Sequence, residues 1–149
     1  MAGALGRTLR DMYRFMFDHF GPQKWWPAES VLEIMVGAVL TQNTNWKNVE
    51  RAIRNLDQRD LLEPEALDAV PPEELEELIR PAGYYNLKAR RLKNLIHWLC
   101  ERFDGDVEAI GRSNLQAVRE ELLAVRGVGP ETADAILLYA AGLPTFVVD

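Results

Sequence analysis

The sequence predicts an all-α domain, and three observations carry that prediction. Apolar residues recur three and four positions apart along most of the chain, the spacing of one helix face. Proline and glycine fall where such stretches begin and end. No stretch alternates with period two for long enough to make a strand; Thr145–Val148 is β-prone but short.

Taken in order, Leu5, Leu9, Met12, Tyr13, Met16, Phe17 and Phe20 predict an amphipathic helix over 4–20, ended by Gly21-Pro22. A loop over 22–29 holds Trp25-Trp26-Pro27. Ser30 can cap a helix over 31–41 that is apolar nearly all round and therefore central. Asn45 can cap the next, whose apolar face is Trp46, Val49, Ile53 and Leu56. Pro64 and Pro72 each suit the first turn of a short helix, and Gly83 closes the second. A long helix over 86–102 buries Leu92, Leu95, Ile96 and Leu99, with Trp98 also assigned to the core. Ser113 and Gln116 form a candidate capping box for a helix ending near Ala124. The last helix runs over 130–141 and stops at Gly142, with Pro144 just beyond. Internal repeats and low-complexity linkers are absent from this pattern.

Composition narrows the function classes. With 48% hydrophobic and 27% charged residues, the chain is neither disordered nor collagen-like. The strongest apolar run, 31–40, includes Glu33 and falls short of the roughly 20 residues that a bilayer span needs. The first fifteen residues lack the continuous apolar core of a secretory signal. Cys100 is the only cysteine, which excludes an internal disulfide and an all-cysteine metal or iron–sulfur site within this chain. His19 and His97 have no metal-ligand spacing, so no metal site is expected here. These features point to a cytoplasmic protein without membrane attachment. The net charge of −6 argues against nucleic acid, but its distribution does not. Residues 81–102 carry Lys88, Arg90, Arg91, Lys93 and Arg102 against Glu101 alone, between two segments that are each net acidic.

The most informative stretch, residues 122–149, places a helix, the turn Gly127-Val128-Gly129 and a second helix in succession. Glycines permit positive φ and let a foreign backbone approach. Amides over 127–131 then face outward at a helix start, where oriented N–H groups favour a phosphate. Such a contact positions a nucleic acid without reading its sequence. Lys88 and its basic neighbours are candidate phosphate contacts too, although a helix turns 100° per residue and cannot aim all four one way.

The longer pattern VRGVGPETA, residues 125–133, resembles the helix–hairpin–helix of the endonuclease III superfamily of DNA base-excision glycosylases. VGAVLTQNTNWKNVERAI at 36–53 and RPAGYYNLKARRLKNL at 80–95 resemble it as well, in the family's order. Together the likeness covers roughly residues 25–149. WWP, LTQNT and the GYYNLKA and ETADAIL stretches are most similar to the 3-methyladenine DNA glycosylase III type.

This resemblance implies an all-α helix–hairpin–helix glycosylase fold with two helical subdomains and the flipped base bound between them. Residues 1–30 would belong to the second subdomain. Residues 31–149 would form the first, with the hairpin unit at about 115–141. Asp149 matches the family's catalytic carboxylate, which stabilises an oxocarbenium-like sugar. Glu131 stands where bifunctional relatives place a lysine, and a glutamate cannot form the Schiff base that leads to strand cleavage. Trp25, Pro27 and Trp46 match positions that sandwich a flipped base, and an indole attracts a cationic alkylated purine. Gln42 matches a residue that fills the gap the base leaves. Gly127, Val128, Gly129, Glu131 and Thr132 form the DNA-binding hairpin, and Lys88 matches a further DNA contact.

The resemblance implies double-stranded DNA with a damaged base as partner, and a monomer. It implies no cofactor within this chain, while an iron–sulfur cluster or a hairpin-bound monovalent cation occurs in the full-length family. Because the sequence stops at Asp149, the expectation is a fold truncated after the catalytic aspartate, inactive as an isolated polypeptide. The function expected of the whole protein is monofunctional hydrolysis of the N-glycosidic bond of alkylated purines such as 3-methyladenine. The alternatives are an endonuclease III-like enzyme for oxidised pyrimidines and a non-catalytic helix–hairpin–helix DNA-binding module.

Overall fold

The computed structural model describes residues 2–23 and 25–148. Its helices are α1 (Ala2–Phe20), α2 (Val31–Leu40), α3 (Trp46–Asp57), α4 (Pro64–Ala69), α5 (Pro72–Ile79), α6 (Tyr85–Phe103), α7 (Leu115–Ala124) and α8 (Pro130–Ala135). Short 3₁₀ turns lie at Arg80–Ala82 and Val107–Arg112. No strand forms among the described residues, and Thr145–Val148 is irregular.

Two predicted caps start their helices. Ser30 Oγ accepts the Glu33 amide at 3.1 Å, and Asn45 Oδ1 accepts the Asn48 amide at 3.1 Å. At α7 the cap shifts by one residue. Asn114 Oδ1 accepts the Ala117 amide at 3.0 Å, because the Ser113 hydroxyl donates instead to Ala109 O at 2.9 Å. That oxygen belongs to the Val107–Arg112 turn, which Asp106 opens by accepting the Glu108 and Ala109 amides at 3.0 and 3.1 Å.

Helix α2 is central, with Met35, Val36, Val39 and Leu40 fully buried. It contacts α3, α6 and α8, while α6 packs on α4 and α5, and α3 on α5. The predicted α6 face of Leu92, Leu95, Ile96 and Leu99 is fully buried. Trp98 sits at the edge of the core, its ring 5.4 Å from that of Phe103. On α1, by contrast, Leu5, Leu9, Met12, Tyr13 and Phe20 are all more than half exposed. Among the described residues, this apolar face is not covered.

The last helix is not regular to residue 141. After α8 it widens into a π turn, Ile136–Ala140, where the Ala141 amide reaches Ile136 O, five residues back, at 3.0 Å. The chain then continues without regular structure past Thr145, whose hydroxyl donates to Asp134 Oδ1 at 3.3 Å. Asp134 is buried on α8, and Arg119 of α7 donates to both its oxygens at 2.7 and 2.9 Å. The hydrogen bonds from Arg119 hold the Asp134 carboxyl below its ordinary pKa, outweighing burial, which pushes the other way.

A depressed carboxylate contributes stability that is fully present above the unfolded pKa, about 3.9, and is lost as pH falls through its lower folded value. Asp134→Asn is therefore expected to cost about 2 kcal/mol at pH 7 and progressively less below pH ~4. Urea unfolding of parent and variant across that range measures the gap. A gap independent of pH would refute the pairing as its source.

Candidate functional site

The loop after α1 lays its aromatic residues against the start of α3 and the middle of α2. Gly37, mid-helix in α2, makes the room: a Cβ there would lie 3.2 Å from Trp26 Cζ2 and 3.5 Å from Trp46 Cη2. Trp26 and Trp46 meet edge to face, with ring centroids 5.7 Å apart and planes at 85°. Tyr139, on the π turn, backs Trp26 at 5.4 Å. The result is an open cleft of about 720 Å³ walled by Trp25, Trp26, Pro27 and Trp46, with Gln42 and Glu131 at one side. Trp25 is 73% exposed, so its ring faces solvent at the cleft rather than core. Trp46 Nε1 is tied to Glu50 Oε1 at 3.0 Å, which fixes the plane of the indole. Such a cleft can hold a flat ring by stacking, and a cationic one more tightly.

The hairpin lies on the other side of Gln42. Gly127 has φ 101°, and a Cβ there would collide with the Arg91 stem from α6. Gly129 is open, and Glu131 is exposed in the first turn of α8. Two of the hairpin residues expected to bind DNA have buried side chains. Val128 is buried, and its amide donates to Val125 O at 3.0 Å because the turn closes on itself. Thr132 is buried as well, and its hydroxyl accepts the Gln42 Nε2 donor at 2.9 Å. The Gln42 carbonyl in turn accepts from Arg91.

Lys88 departs further from expectation. It is 1% exposed, and its ammonium donates to Leu40 O at 2.8 Å and Ala82 O at 2.7 Å. In this structure it pins the end of α2 to the turn before α6 and is not presented to a phosphate. Burial, reinforced by the nearby Arg91 charge, lowers its pKa. Lys93 is also drawn in, to Leu67 O at 3.0 Å and Asp68 O at 2.6 Å. Arg90 and Arg126 stay exposed and, with Arg91 and Gly127, line a basic groove beside the hairpin. Tyr84, two residues after Ala82, is exposed and adopts a left-handed conformation with φ 45°. Behind Pro27 and Trp46 lies a groove of opposite character, lined by Glu29, Glu33, Glu50, Asp57, Asp60 and Glu63.

The structure thus brings Trp25, Pro27, Trp46, Gln42 and Glu131 to one cleft and Gln42, Gly127, Val128, Gly129, Glu131 and Thr132 to an adjoining groove. Asp149 lies outside the described residues. Sequence reasoning missed Trp26 as a wall of the cleft and Gly37 and Tyr139 as the residues that seat it; a glycine inside an otherwise apolar helix is the signal that points to close approach there. The only cysteine of this sequence, Cys100, lies half-buried on α6. Among the described residues, no group of three or more His, Cys, Asp or Glu can hold a metal ion. No described helix is long and apolar enough to cross a membrane.

Comparison with known proteins agrees with this architecture. The model of the HhH-GPD superfamily of base excision DNA repair proteins matches residues 36–149. A provisionally named DNA repair glycosylase of Methanocaldococcus jannaschii is 52% identical over 140 residues, 93% of this chain and 63% of that protein. The chain therefore spans a little under two thirds of that relative's length. The fold is similar to that of the H. pylori 3-methyladenine DNA glycosylase MagIII bound to 1,N6-ethenoadenine. That likeness has a TM-score of 0.79 and 33% identity, covering 96% of this chain and 67% of the other. It is also similar to a trapped endonuclease III–DNA covalent intermediate, with a TM-score of 0.75 and 28% identity, covering 96% and 63%. The chain belongs to the HhH-GPD superfamily of base excision DNA repair proteins.

Proposed function

We propose that the full-length protein is a monofunctional DNA N-glycosylase that removes alkylated purines such as 3-methyladenine from double-stranded DNA, acting as a monomer. The observation that carries this reading is the cleft of Trp25, Trp26 and Trp46 directly beside the glycine hairpin. Ring alkylation gives a purine a positive charge, and stacked indoles attract a flat cation by about 0.5–2 kcal/mol. The likeness to a 3-methyladenine glycosylase bound to a modified adenine supports the same class.

The chemistry asks little of the protein. The glycosidic electron pair leaves with the cationic base, which departs neutral. Water adds to C1′ of the oxocarbenium-like sugar, and its proton passes to a base. Asp149 is the carboxylate proposed to stabilise that sugar and orient the water. Glu131, exposed at the cleft, offers no amine for an imine, so the strand is left abasic but intact.

The test incubates the full-length protein with duplexes carrying 3-methyladenine or an oxidised pyrimidine, and separates free base from nicked strand. Release of 3-methyladenine without nicks is the expected result. Release of the oxidised pyrimidine, with an imine trapped by borohydride, would favour the endonuclease III-like reading that the second structural likeness supports. Duplex binding with no released base would leave only a binding module.

A further inference from the structure

Three elements meet at one amide. Gln42 follows α2, and its carbonyl oxygen accepts from the Arg91 guanidinium of α6. Its Nε2 donates to Thr132 Oγ1 of α8 at 2.9 Å. An arginine can only donate, so the oxygen end of the amide must face Arg91 and the nitrogen end must face Thr132. Arg91 is itself held, because its methylene stem lies against Gly127 where any larger residue would collide. After these contacts, one lone pair and one N–H of Gln42 remain. Gln42 lines both the aromatic cleft and the hairpin groove and so stands between them.

We propose that Arg91 is a positioning residue that locks the Gln42 amide in one orientation, and so fixes which edge of the base opposite a lesion this protein favours. An amide free to flip presents donor and acceptor in either order, and a base edge is read by that order. With the carbonyl held on Arg91, only one order is offered. The inference rests on the proposed glycosylase reading, in which Gln42 faces the base left behind.

The test uses the full-length protein and duplexes with a stable abasic analogue opposite each of the four bases. The parent is expected to show a spread of about tenfold in affinity across the four, the discrimination of one well-placed polar contact. Arg91→Ala should shrink that spread to about twofold. Arg91→Lys, still a pure donor, should restore part of it. In a Gln42→Ala background, removing Arg91 should not change the spread further. A parallel fall in all four affinities with the spread intact would overturn the inference and make Arg91 a plain phosphate contact. So would a parent that shows no spread.

A DNA-free readout separates this inference from the glycosylase reading. In NMR spectra, the Gln42 Nε2 and its two protons should resonate away from the values of a free glutamine amide, and should move towards those values in Arg91→Ala. Unchanged signals would overturn the lock whether or not the protein releases bases. A parent that releases no alkylated base would sink the glycosylase reading, while the spread and the NMR signals still decide the lock.

Discussion

Replacing Lys88 by alanine is expected to lower the unfolding free energy by about 4 kcal/mol, about twice the loss expected for Asp134→Asn. The ammonium bridges Leu40 O and Ala82 O from a fully buried position. Leu40 ends α2, so its carbonyl belongs to the negative end of a helix dipole. Alanine would leave two buried acceptors without a donor, at about 1–3 kcal/mol each, and add a cavity the length of the lost stem. Lys88→Met fills most of that cavity but donates nothing. It should lose about half as much, which separates the polar part from the packing part. Urea unfolding at neutral pH measures both. If methionine loses nothing relative to the parent, the two hydrogen bonds contribute nothing.

Asp149→Asn in the full-length protein is expected to reduce base release by about 10³-fold while leaving affinity for abasic-analogue duplexes within about threefold. The substitution keeps size and removes charge. A carboxylate matters only when positive charge grows on the sugar, so the loss belongs to the transition state rather than to ground-state binding. Single-turnover release and equilibrium binding, measured side by side, distinguish the two. An equal loss in both would assign Asp149 to holding DNA. Activity unaffected by the change would place the catalytic carboxylate elsewhere.

The helices were legible because their signals are local. Ser30 and Asn45 announce their helices, and the spacing of Leu92, Leu95, Ile96 and Leu99 describes a face that is buried. That same spacing contained a warning about Lys88. It sits four residues before Leu92 on the same side of α6, so helical geometry places it with the core rather than with Arg90. What sequence could not supply was the pairing of distant groups. The ties from Gln42 to Arg91 and Thr132 span 49 and 90 residues, and no local propensity encodes them. Nor does periodicity reveal a π turn, because its extra residue changes which way Tyr139 points without changing the composition. Trp25 and Trp26 illustrate the limit: they are adjacent in a loop with no periodicity to tell them apart, and both line the cleft, one exposed and one backed by Tyr139.

The four grooves share walls and therefore have an order. The acidic groove meets the aromatic cleft at Pro27 and Trp46, the cleft meets the hairpin at Gln42 and Glu131, and the hairpin meets the basic groove at Arg91 and Gly127. Charge thus changes sign along a single path across the molecule. To an approaching polyanion, this surface is a ramp rather than a uniform field: one end repels, the other draws in, and the torque between them turns the molecule before contact. On the proposed glycosylase reading, a protein that includes this chain, with its total charge of −6, would meet DNA in a preferred attitude, with the basic end leading. The ramp flattens as salt shortens the reach of the charges to about 8 Å near physiological ionic strength, so orientation is settled in the last few water layers of the encounter.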